Sequence, residues 1–310
     1  MKRLQIGKLI NNRSFKSLIS LPLFFLCWIA FHGAAAQSLD YITRTDITFT
    51  SEGVTLAGTL FSPTDPQAAI VLVHGSGQEK RMARFAEWVA AHGITVITYD
   101  KRGVGASGGI YAGPEVGTNN VDSINLSLLA KDASAAVNKL QEVAMDLPVG
   151  LVGSSQAGWI IPLAATLNPF VDFMVLFSGP TITSLEQLRF QFHTNGDPNY
   201  WKNHSEAEAR EHIKNDPDRF QFTATDPKHS LTDLAIPGLW LYGAKDIQVP
   251  AQLCIEQLNT LKNQGKPFEY RLYSNLGHNT GSASDPTAVE DAILWIKQIV
   301  LEQKKSSNSN

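Results

Sequence analysis

Cysteine is scarce in this 310-residue sequence, which contains only Cys27 and Cys254. Cys27 falls in an N-terminal segment that we expect to be removed, and one remaining cysteine cannot form an internal disulfide. The sequence also lacks internal repeats at periods of about 20 to 50 residues, and it lacks His, Cys and Asp clusters at the spacing of a zinc site. These absences argue against a disulfide scaffold, a repeat protein and a zinc site, and nothing in the sequence implies a metal or an organic cofactor.

Acidic residues are absent from the first 36 positions, where five basic residues occur. Residues 18–31 form an apolar run of 14 residues, whereas a membrane-spanning helix needs about 20. Three alanines follow at 34–36. This order of basic, apolar and small residues predicts a signal peptide over 1–36, cleaved after Ala36 to leave Gln37. An uncleaved anchor is the alternative, and a lipid on Cys27 is disfavoured because Leu26 is not small.

A strong excess of either charge is also missing, since the net charge is −3. Cleavage would remove five positive charges and make it −8, which argues against nucleic-acid binding. We therefore expect a periplasmic or secreted protein with no stable membrane association after cleavage. The mature chain, 37–310, is long enough for one large domain. Its oligomeric state is not determined by the sequence.

Strand-like and helix-like segments alternate along most of the mature chain. Residues 45–50 and 54–61 flank the turn signal Ser51-Glu52-Gly53 and predict a hairpin. Later apolar runs such as 69–73, 94–99 and 171–177 are typical of buried parallel strands. The pattern predicts an α/β fold with a mostly parallel, doubly wound sheet and an antiparallel hairpin at its N-terminal edge. Residues 181–236 are polar with helical signals and predict an inserted cap, and 304–310 predict a disordered tail.

Ser155 lies at a sharp turn between a predicted strand, 148–153, and a predicted helix. The small residues Gly153 and Ala157 flank it two positions away on either side, as expected where the backbone is crowded. A serine on a strand-turn-helix element is typical of a catalytic nucleophile. The alternative interpretation is an ordinary serine at a helix N-cap.

A serine nucleophile needs a base, an acid that orients the base, and N–H donors for the oxyanion. His278 follows the last predicted strand, and Asp246 follows the strand before it, in the chain order Ser, acid, His. His74 is the rival base, although it precedes the serine. We predict that the backbone N–H groups of Ser76 and Gln156 form the oxyanion hole. In the predicted cap, His193, His204, His212 and His229 are either substrate contacts or surface residues.

Five motifs together resemble the α/β-hydrolase superfamily, in particular bacterial serine aminopeptidase-like and dienelactone hydrolase-like proteins. The motifs are residues 74–77 (HGSG), 99–107 (YDKRGVGAS), 153–158 (GSSQAG), 243–246 (GAKD) and 277–278 (GH). The resemblance spans nearly all of the mature chain and implies the α/β-hydrolase fold. One residue departs from it, because the family usually has glycine where Ala157 stands. In the 99–107 motif, we expect Asp100 and Arg102 to bridge neighbouring loops.

The predicted chemistry is acyl transfer to Ser155, followed by hydrolysis of the acyl-enzyme, with a small-molecule acyl substrate. A carboxylic ester is the favoured substrate class, because the resemblance covers many esterases. An amide-hydrolysing peptidase is the alternative, in which an acid of the predicted cap would bind a free amino terminus. The acids in question are Glu186, Glu206, Glu208 and Glu211. A non-catalytic binding protein on a hydrolase scaffold is disfavoured, since all three residues of the triad are present.

Overall fold

A computed structural model describes residues 42–114, 117–215, 222–282 and 284–307, with the backbone alone at 306 and 307. The predicted signal peptide, 1–36, therefore lies outside the described residues. The strands are β1 (Ile42–Ser51), β2 (Val54–Pro63), β3 (Ala68–Val73), β4 (Ile94–Tyr99), β5 (Val149–Ser154), β6 (Phe173–Phe177), β7 (Gly238–Gly243) and β8 (Phe268–Tyr273). The helices are α1 (Ala83–Ala90), α2 (Thr118–Val121), α3 (Ser123–Gln141), α4 (Ala157–Leu167), α5 (Ser184–Thr194), α6 (Tyr200–Asn203), α7 (Glu206–Asn215), α8 (Pro227–Asp233), α9 (Ala251–Asn263) and α10 (Thr287–Ser307).

The eight strands form one sheet in the order β1-β2-β4-β3-β5-β6-β7-β8. The predicted hairpin is present, because β1 pairs antiparallel with β2 around a turn in which Glu52 and Gly53 both have positive φ. From β4 to β8 every neighbouring pair is parallel. The predicted α/β class and the mostly parallel sheet are thus confirmed.

Helices cover both faces of the sheet, because side chains alternate between the faces along each strand. On one face, Val71 and Leu151 pack into a core shared with α3, α4 and α9. On the other face, Leu72 and Val152 pack into a core shared with α1 and α10. The central strands β3, β4, β6 and β7 are buried along their whole length, which explains why they are continuous apolar runs.

The parallel arrangement brings the ends of distant segments to one edge of the sheet. His74 follows β3, Ser155 follows β5, Asp246 follows β7 and His278 follows β8. Since parallel strands end at the same edge, residues far apart in sequence meet there, as is usual for sites in open α/β sheets.

The segment between β6 and β7 forms the four helices α5 to α8 and no strand within its described residues, 178–215 and 222–237. Its interpretation as an inserted cap stays a prediction. At the C-terminus, α10 continues through Ser307, whereas the sequence predicts a disordered tail from 304. Lys304 and Lys305 lie in its last turn, where positive charge interacts favourably with the helix dipole. Residues 308–310 lie outside the described residues.

Candidate active site

The turn after β5 holds Ser155 in a strained backbone conformation. Ser155 has φ 52°, a left-handed value that is uncommon for residues other than glycine and that clusters at functional sites. Its N–H donates to the carbonyl of Phe177 on β6, at 3.0 Å. A Cβ at Gly153 would lie 2.6 Å from the Ala157 Cβ. Because the Ala157 methyl occupies that space, the departure from the family pattern at 157 is accommodated by glycine at 153.

Three loops bring Ser155, His278 and Asp246 into one hydrogen-bonded chain. The Ser155 Oγ lies 2.9 Å from His278 Nε2, and His278 Nδ1 lies 2.8 Å from Asp246 Oδ2. The partner of the Ser155 hydroxyl is therefore an imidazole, whereas the N-cap of α4 is Gln156. This geometry excludes the ordinary N-cap interpretation of Ser155, and it suits transfer of the hydroxyl proton to the imidazole.

Asp246 is nearly inaccessible to solvent and accepts three hydrogen bonds. Its Oδ1 accepts from the N–H groups of Gln248 and Val249, at 2.7 and 2.9 Å, while Oδ2 faces His278. These donors compensate the cost of burying a carboxylate and fix its orientation. In the neutral tautomer whose Nδ1–H donates to Oδ2, Nε2 is the acceptor that faces the Ser155 hydroxyl.

The helical segment between β6 and β7 supports the Asp246 loop through its backbone, a role that sequence reasoning missed. The Trp201 Nε1–H donates to the Asp246 carbonyl at 2.7 Å, and the Gln187 Nε2–H donates to the Gln248 carbonyl at 2.8 Å. Thr194 donates to the carbonyl between them, that of Ile247. These donors are spread over α5 and α6, and no short sequence motif marks them.

The two predicted oxyanion donors lie beside Ser155, on the loops after β3 and β5. Gly75 approaches the serine turn so closely that a Cβ there would lie 3.6 Å from the Ser155 Cβ. In the part of the chain that is described, neither the Ser76 N–H nor the Gln156 N–H donates a hydrogen bond to another protein group. Both donors therefore remain available to an oxyanion, and their role stays a prediction.

The rival base, His74, and the remaining cysteine, Cys254, are buried and held in their neutral forms. Burial, together with the nearby charge of Lys101, lowers the pKa of His74 to about 3. The His74 ring packs against Tyr99, 4.9 Å between centroids. Burial also raises the pKa of the Cys254 thiol to about 12. His74 thus serves as a core histidine here, and Cys254 is an unreactive core residue.

Three of the histidines in the helical segment, His193, His204 and His212, contact each other. His193 stacks on His212 at 3.7 Å between ring centroids, and it lies edge-on to His204 at 5.9 Å. The acids proposed to bind an amino terminus make local contacts instead. Glu186 closes a capping box, Glu206 pairs with Arg210, Glu208 accepts from Ser205 and Glu211 accepts from Asn215.

Charged residues in the glycine-rich loop after β4 are directed into the protein. Burial alone would raise the pKa of Asp100, but hydrogen bonds from Arg81 and Ala106 lower it to about 2. The Arg102 guanidinium binds the buried Asp132 carboxylate, with 2.9 Å between Nε and Oδ2. Asp100 and Arg102 thus bridge neighbouring segments, as predicted. Lys101, between them, is equally buried and was not singled out by the sequence.

Two cavities flank Ser155, and Ser76, Ser155 and Gln248 line both of them. The large cavity, of about 570 Å³, also includes His278, apolar side chains such as Met82 and Phe85, and the carboxylate-bearing Glu79. The small cavity, of about 60 Å³, lies toward α5 and does not include His278 among its lining residues. Its lining includes Trp159, Gln187, Leu188 and Gln191.

A family model described as serine aminopeptidase, S33, matches residues 64–228, which is just over half of the chain. The chain belongs to this family of α/β-hydrolases. The superfamily resemblance carried by the five sequence motifs is therefore confirmed. In the described part of this S33-family chain, no helix is both long and apolar enough to cross a membrane. No group of three or more His, Cys, Asp or Glu residues there could hold a metal ion.

Solved structures support the same fold, and a curated relative matches a shorter part of the chain. Pyrococcus horikoshii acylaminoacyl peptidase matches with a TM-score of 0.60 and 15% identity, over 86% of this chain and 42% of its own. Pyrococcus furiosus esterase Pf2001 matches with a TM-score of 0.59 and 17% identity, over 86% and 92%. A carboxyl esterase from Bacillus coagulans matches with a TM-score of 0.58 and 15% identity, over 83% and 99%. A polyketide transferase of a Penicillium species is 38% identical over 71 residues, 22% of this chain and 24% of its own length. This chain thus spans less than half of the first structure and of the curated relative.

Proposed function

We propose that this S33-family chain is a serine hydrolase that cleaves carboxylic esters through an acyl-enzyme on Ser155. The observation that carries the proposal is the chain of hydrogen bonds from Ser155 through His278 to Asp246, at 2.9 and 2.8 Å. A half-buried turn serine that lines a cavity, with a hydrogen-bonded base and a buried orienting carboxylate, is the arrangement that activates a hydroxyl for acyl transfer.

The reaction has two steps. His278 Nε2 takes the Ser155 proton as the Oγ attacks the substrate carbonyl, and the N–H groups of Ser76 and Gln156 stabilise the oxyanion. The imidazolium then gives its proton to the leaving alcohol, and the acyl group stays on Ser155. In the second step His278 takes a proton from a water molecule as its oxygen attacks the acyl carbonyl. The bond to the Ser155 Oγ then breaks, the Oγ receives the proton from His278, and the carboxylic acid is released. Asp246 orients the imidazole and stabilises its charged form.

The position of His278 distinguishes the two cavities. Because the leaving group must receive its proton from His278, the alcohol portion should occupy the large cavity, which His278 lines. The acyl portion is then directed to the small cavity of about 60 Å³. We therefore propose that the preferred acyl groups are short, such as acetyl.

The decisive test combines a mutation with active-site labelling. A fluorophosphonate should label wild-type protein at Ser155 and fail to label Ser155→Ala. Hydrolysis of 4-nitrophenyl acetate should fall by about 10⁴-fold or more in Ser155→Ala, since the nucleophile is removed. Ser154→Ala is the matched control and should keep most of its activity. Labelling of another residue, or full activity in Ser155→Ala, would overturn the assignment.

Acyl length is tested with a series of nitrophenyl esters that share one leaving group. We expect kcat/KM to fall from acetate to octanoate, and Leu188→Ala, which enlarges the small cavity, to reduce that fall. Leu234→Ala is the control, because Leu234 is buried but is absent from the cavity linings. A preference for octanoate in the wild type would contradict the assignment of the small cavity to the acyl group.

An amide-hydrolysing peptidase is the second candidate, and Glu79 is the observation that favours it. Glu79 lines the large cavity, where its carboxylate could bind a substrate amine. Assays of aminoacyl amides beside the esters separate the two functions. If aminoacyl amides are cleaved faster than esters, and Glu79→Gln raises their KM, the peptidase function replaces the esterase.

We further propose that residues 1–36 act as a cleaved signal peptide, and that the mature protein acts in the periplasm or is secreted. The support is the basic leader, the short apolar run and the alanines at 34–36. Sequencing the N-terminus of the mature protein should find Gln37. Full-length protein in the membrane fraction would indicate the uncleaved anchor instead.

A further inference from the structure

Lys101 is a buried lysine whose ammonium group contacts both loops that carry the predicted oxyanion donors. Only 2% of the Lys101 surface is exposed to solvent. The Nζ donates to the Gly75 carbonyl at 2.7 Å and to the Gln156 Oε1 at 2.8 Å. Burying an ammonium group is costly unless its N–H groups are bonded, and a neutral side chain of similar length would fill the same space without that cost.

The contact with Gly75 acts on the peptide unit that supplies the first donor. The Gly75 carbonyl and the Ser76 N–H belong to one planar trans peptide, so they point in opposite directions. An ammonium bound to the carbonyl therefore fixes the peptide plane and turns the Ser76 N–H away from Lys101. The positive charge also polarises the amide, which strengthens the N–H as a donor. The close approach of Gly75 to the Ser155 turn places this peptide beside the nucleophile.

The contact with Gln156 fixes the residue that supplies the second donor. Gln156 is buried, and its side chain is held at both ends. Its Oε1 accepts from Lys101, while its Nε2 donates to the Asn120 carbonyl at 2.8 Å. Gln156 also begins the turn into α4, where its carbonyl accepts from the Trp159 N–H. The side chain thus anchors the backbone whose N–H follows Ser155.

We propose that Lys101 is a positioning residue that orients both donors of the oxyanion hole and sets the distance between them. It acts through Gly75 and Gln156 and does not itself contact substrate. The proposal rests on the proposed function of Ser155, since an oxyanion hole has a role only where an acyl group is transferred. Among the charged residues in the described part of the glycine-rich loop, 100–114, Asp100 and Arg102 bridge neighbouring segments. The proposal assigns a function to the third, Lys101.

The test compares Lys101→Met with Lys131→Met. Methionine removes the charge and keeps most of the side-chain length. Lys131 is an exposed lysine of α3 paired with Glu52, so the control makes the same chemical change on the surface. In Lys101→Met we expect kcat for 4-nitrophenyl acetate to fall by about 10- to 100-fold, less than the full loss of a donor. KM should change by less than about threefold, because the donors act mainly in the transition state. A butylboronic acid, which forms a tetrahedral adduct on serine, should lose affinity by a similar factor. Lys131→Met should match the wild type in all three measurements.

A measurement without turnover separates this proposal from the proposed function. In amide-resolved NMR spectra, Lys101→Met should shift the signals of Ser76 and Gln156 and speed their hydrogen exchange. If these signals move but the wild type shows no hydrolysis and no fluorophosphonate labelling, the positioning holds and the serine hydrolase assignment fails. If the wild type is active while Lys101→Met keeps its kcat, its boronate affinity and its amide signals, the role of Lys101 is overturned. Should Lys101→Met fail to fold, Lys101→Arg retains the cation with a different geometry and is judged by the same criteria.

Discussion

Two loops at the same edge of the sheet carry polar or charged residues of the kinds found in active sites, but the side chains of the two loops point to different surroundings. The loop after β5 directs the Ser155 hydroxyl toward a cavity and a histidine. The loop after β4 directs Asp100, Lys101 and Arg102 into the protein, where each contacts a fixed partner. Both loops match motifs of one family. The difference teaches that a motif identifies where polar groups converge, whereas exposure to the cavity decides which of them can meet a substrate.

The comparison is tested most severely at Asp246, which binds His278, the hydrogen-bond partner of Ser155 in the first loop. In Asp246→Asn the amide can donate to His278, which favours the wrong imidazole tautomer. We expect kcat to fall on the order of 10² to 10⁴-fold, while the fold is retained as judged by circular dichroism. Asp233→Asn, an exposed change in α8, is the control. Activity within a factor of about two of the wild type would show that Asp246 does not orient the base.

The Arg102–Asp132 pair of the second loop should show the reverse, a loss of stability with little loss of catalysis. Asp132→Asn leaves the Arg102 guanidinium buried without its carboxylate, which costs about 3–5 kcal/mol of unfolding free energy. Urea unfolding measures this loss, with the exposed change Asp146→Asn as control. The folded fraction should keep its kcat. A large fall in kcat at unchanged stability would place Arg102 and Asp132 in the catalytic machinery and remove the distinction between the loops.

His74, at the start of the loop after β3, gives a smaller and pH-dependent effect. Its native pKa is about 3, whereas an unfolded histidine titrates near 6.5, so between these values the unfolded chain binds one more proton. Stability should therefore fall with decreasing pH across that window, by up to about 1.4 kcal/mol per pH unit for this group. The unfolding free energy of His74→Phe should decline less steeply from pH 6.5 toward pH 4. Equal slopes in the two proteins would show that His74 is not a buried neutral residue.

Much of the candidate site could be predicted because its signals are local. Ser155 was predicted from its turn and its small neighbours, and Asp246 and His278 from their order and their place after predicted strands. Parallel pairing then requires that such strand ends meet. The sequence also shows that alanine stands at 157 where the family usually has glycine. Only the structure shows that Gly153 leaves room for the Ala157 methyl.

Other features depend on contacts between distant segments. The rival His74 could be set aside only when its burial was known. The role proposed for Lys101 depends on groups 26 and 55 positions away, and the helical segment supports the Asp246 loop through carbonyl groups. Every residue has a backbone carbonyl, so the sequence does not indicate which carbonyls accept a hydrogen bond from a distant side chain. The contacts of Lys101 and of the helical segment could therefore not be predicted.

The sequence by itself determined the fold class, the nucleophile candidate and the order of its partners. Apolar periodicity and turn residues can be recognised from neighbouring positions in the chain. Tertiary structure alone decided which polar groups face a cavity and which are buried against backbone. It also decided how the space around Ser155 is divided, since a cavity is formed by side chains from many strands and helices. The physical reason is that reactivity depends on burial and on distances of about 3 Å between hydrogen-bonded atoms, and these arise only when the strands are paired and the helices are packed.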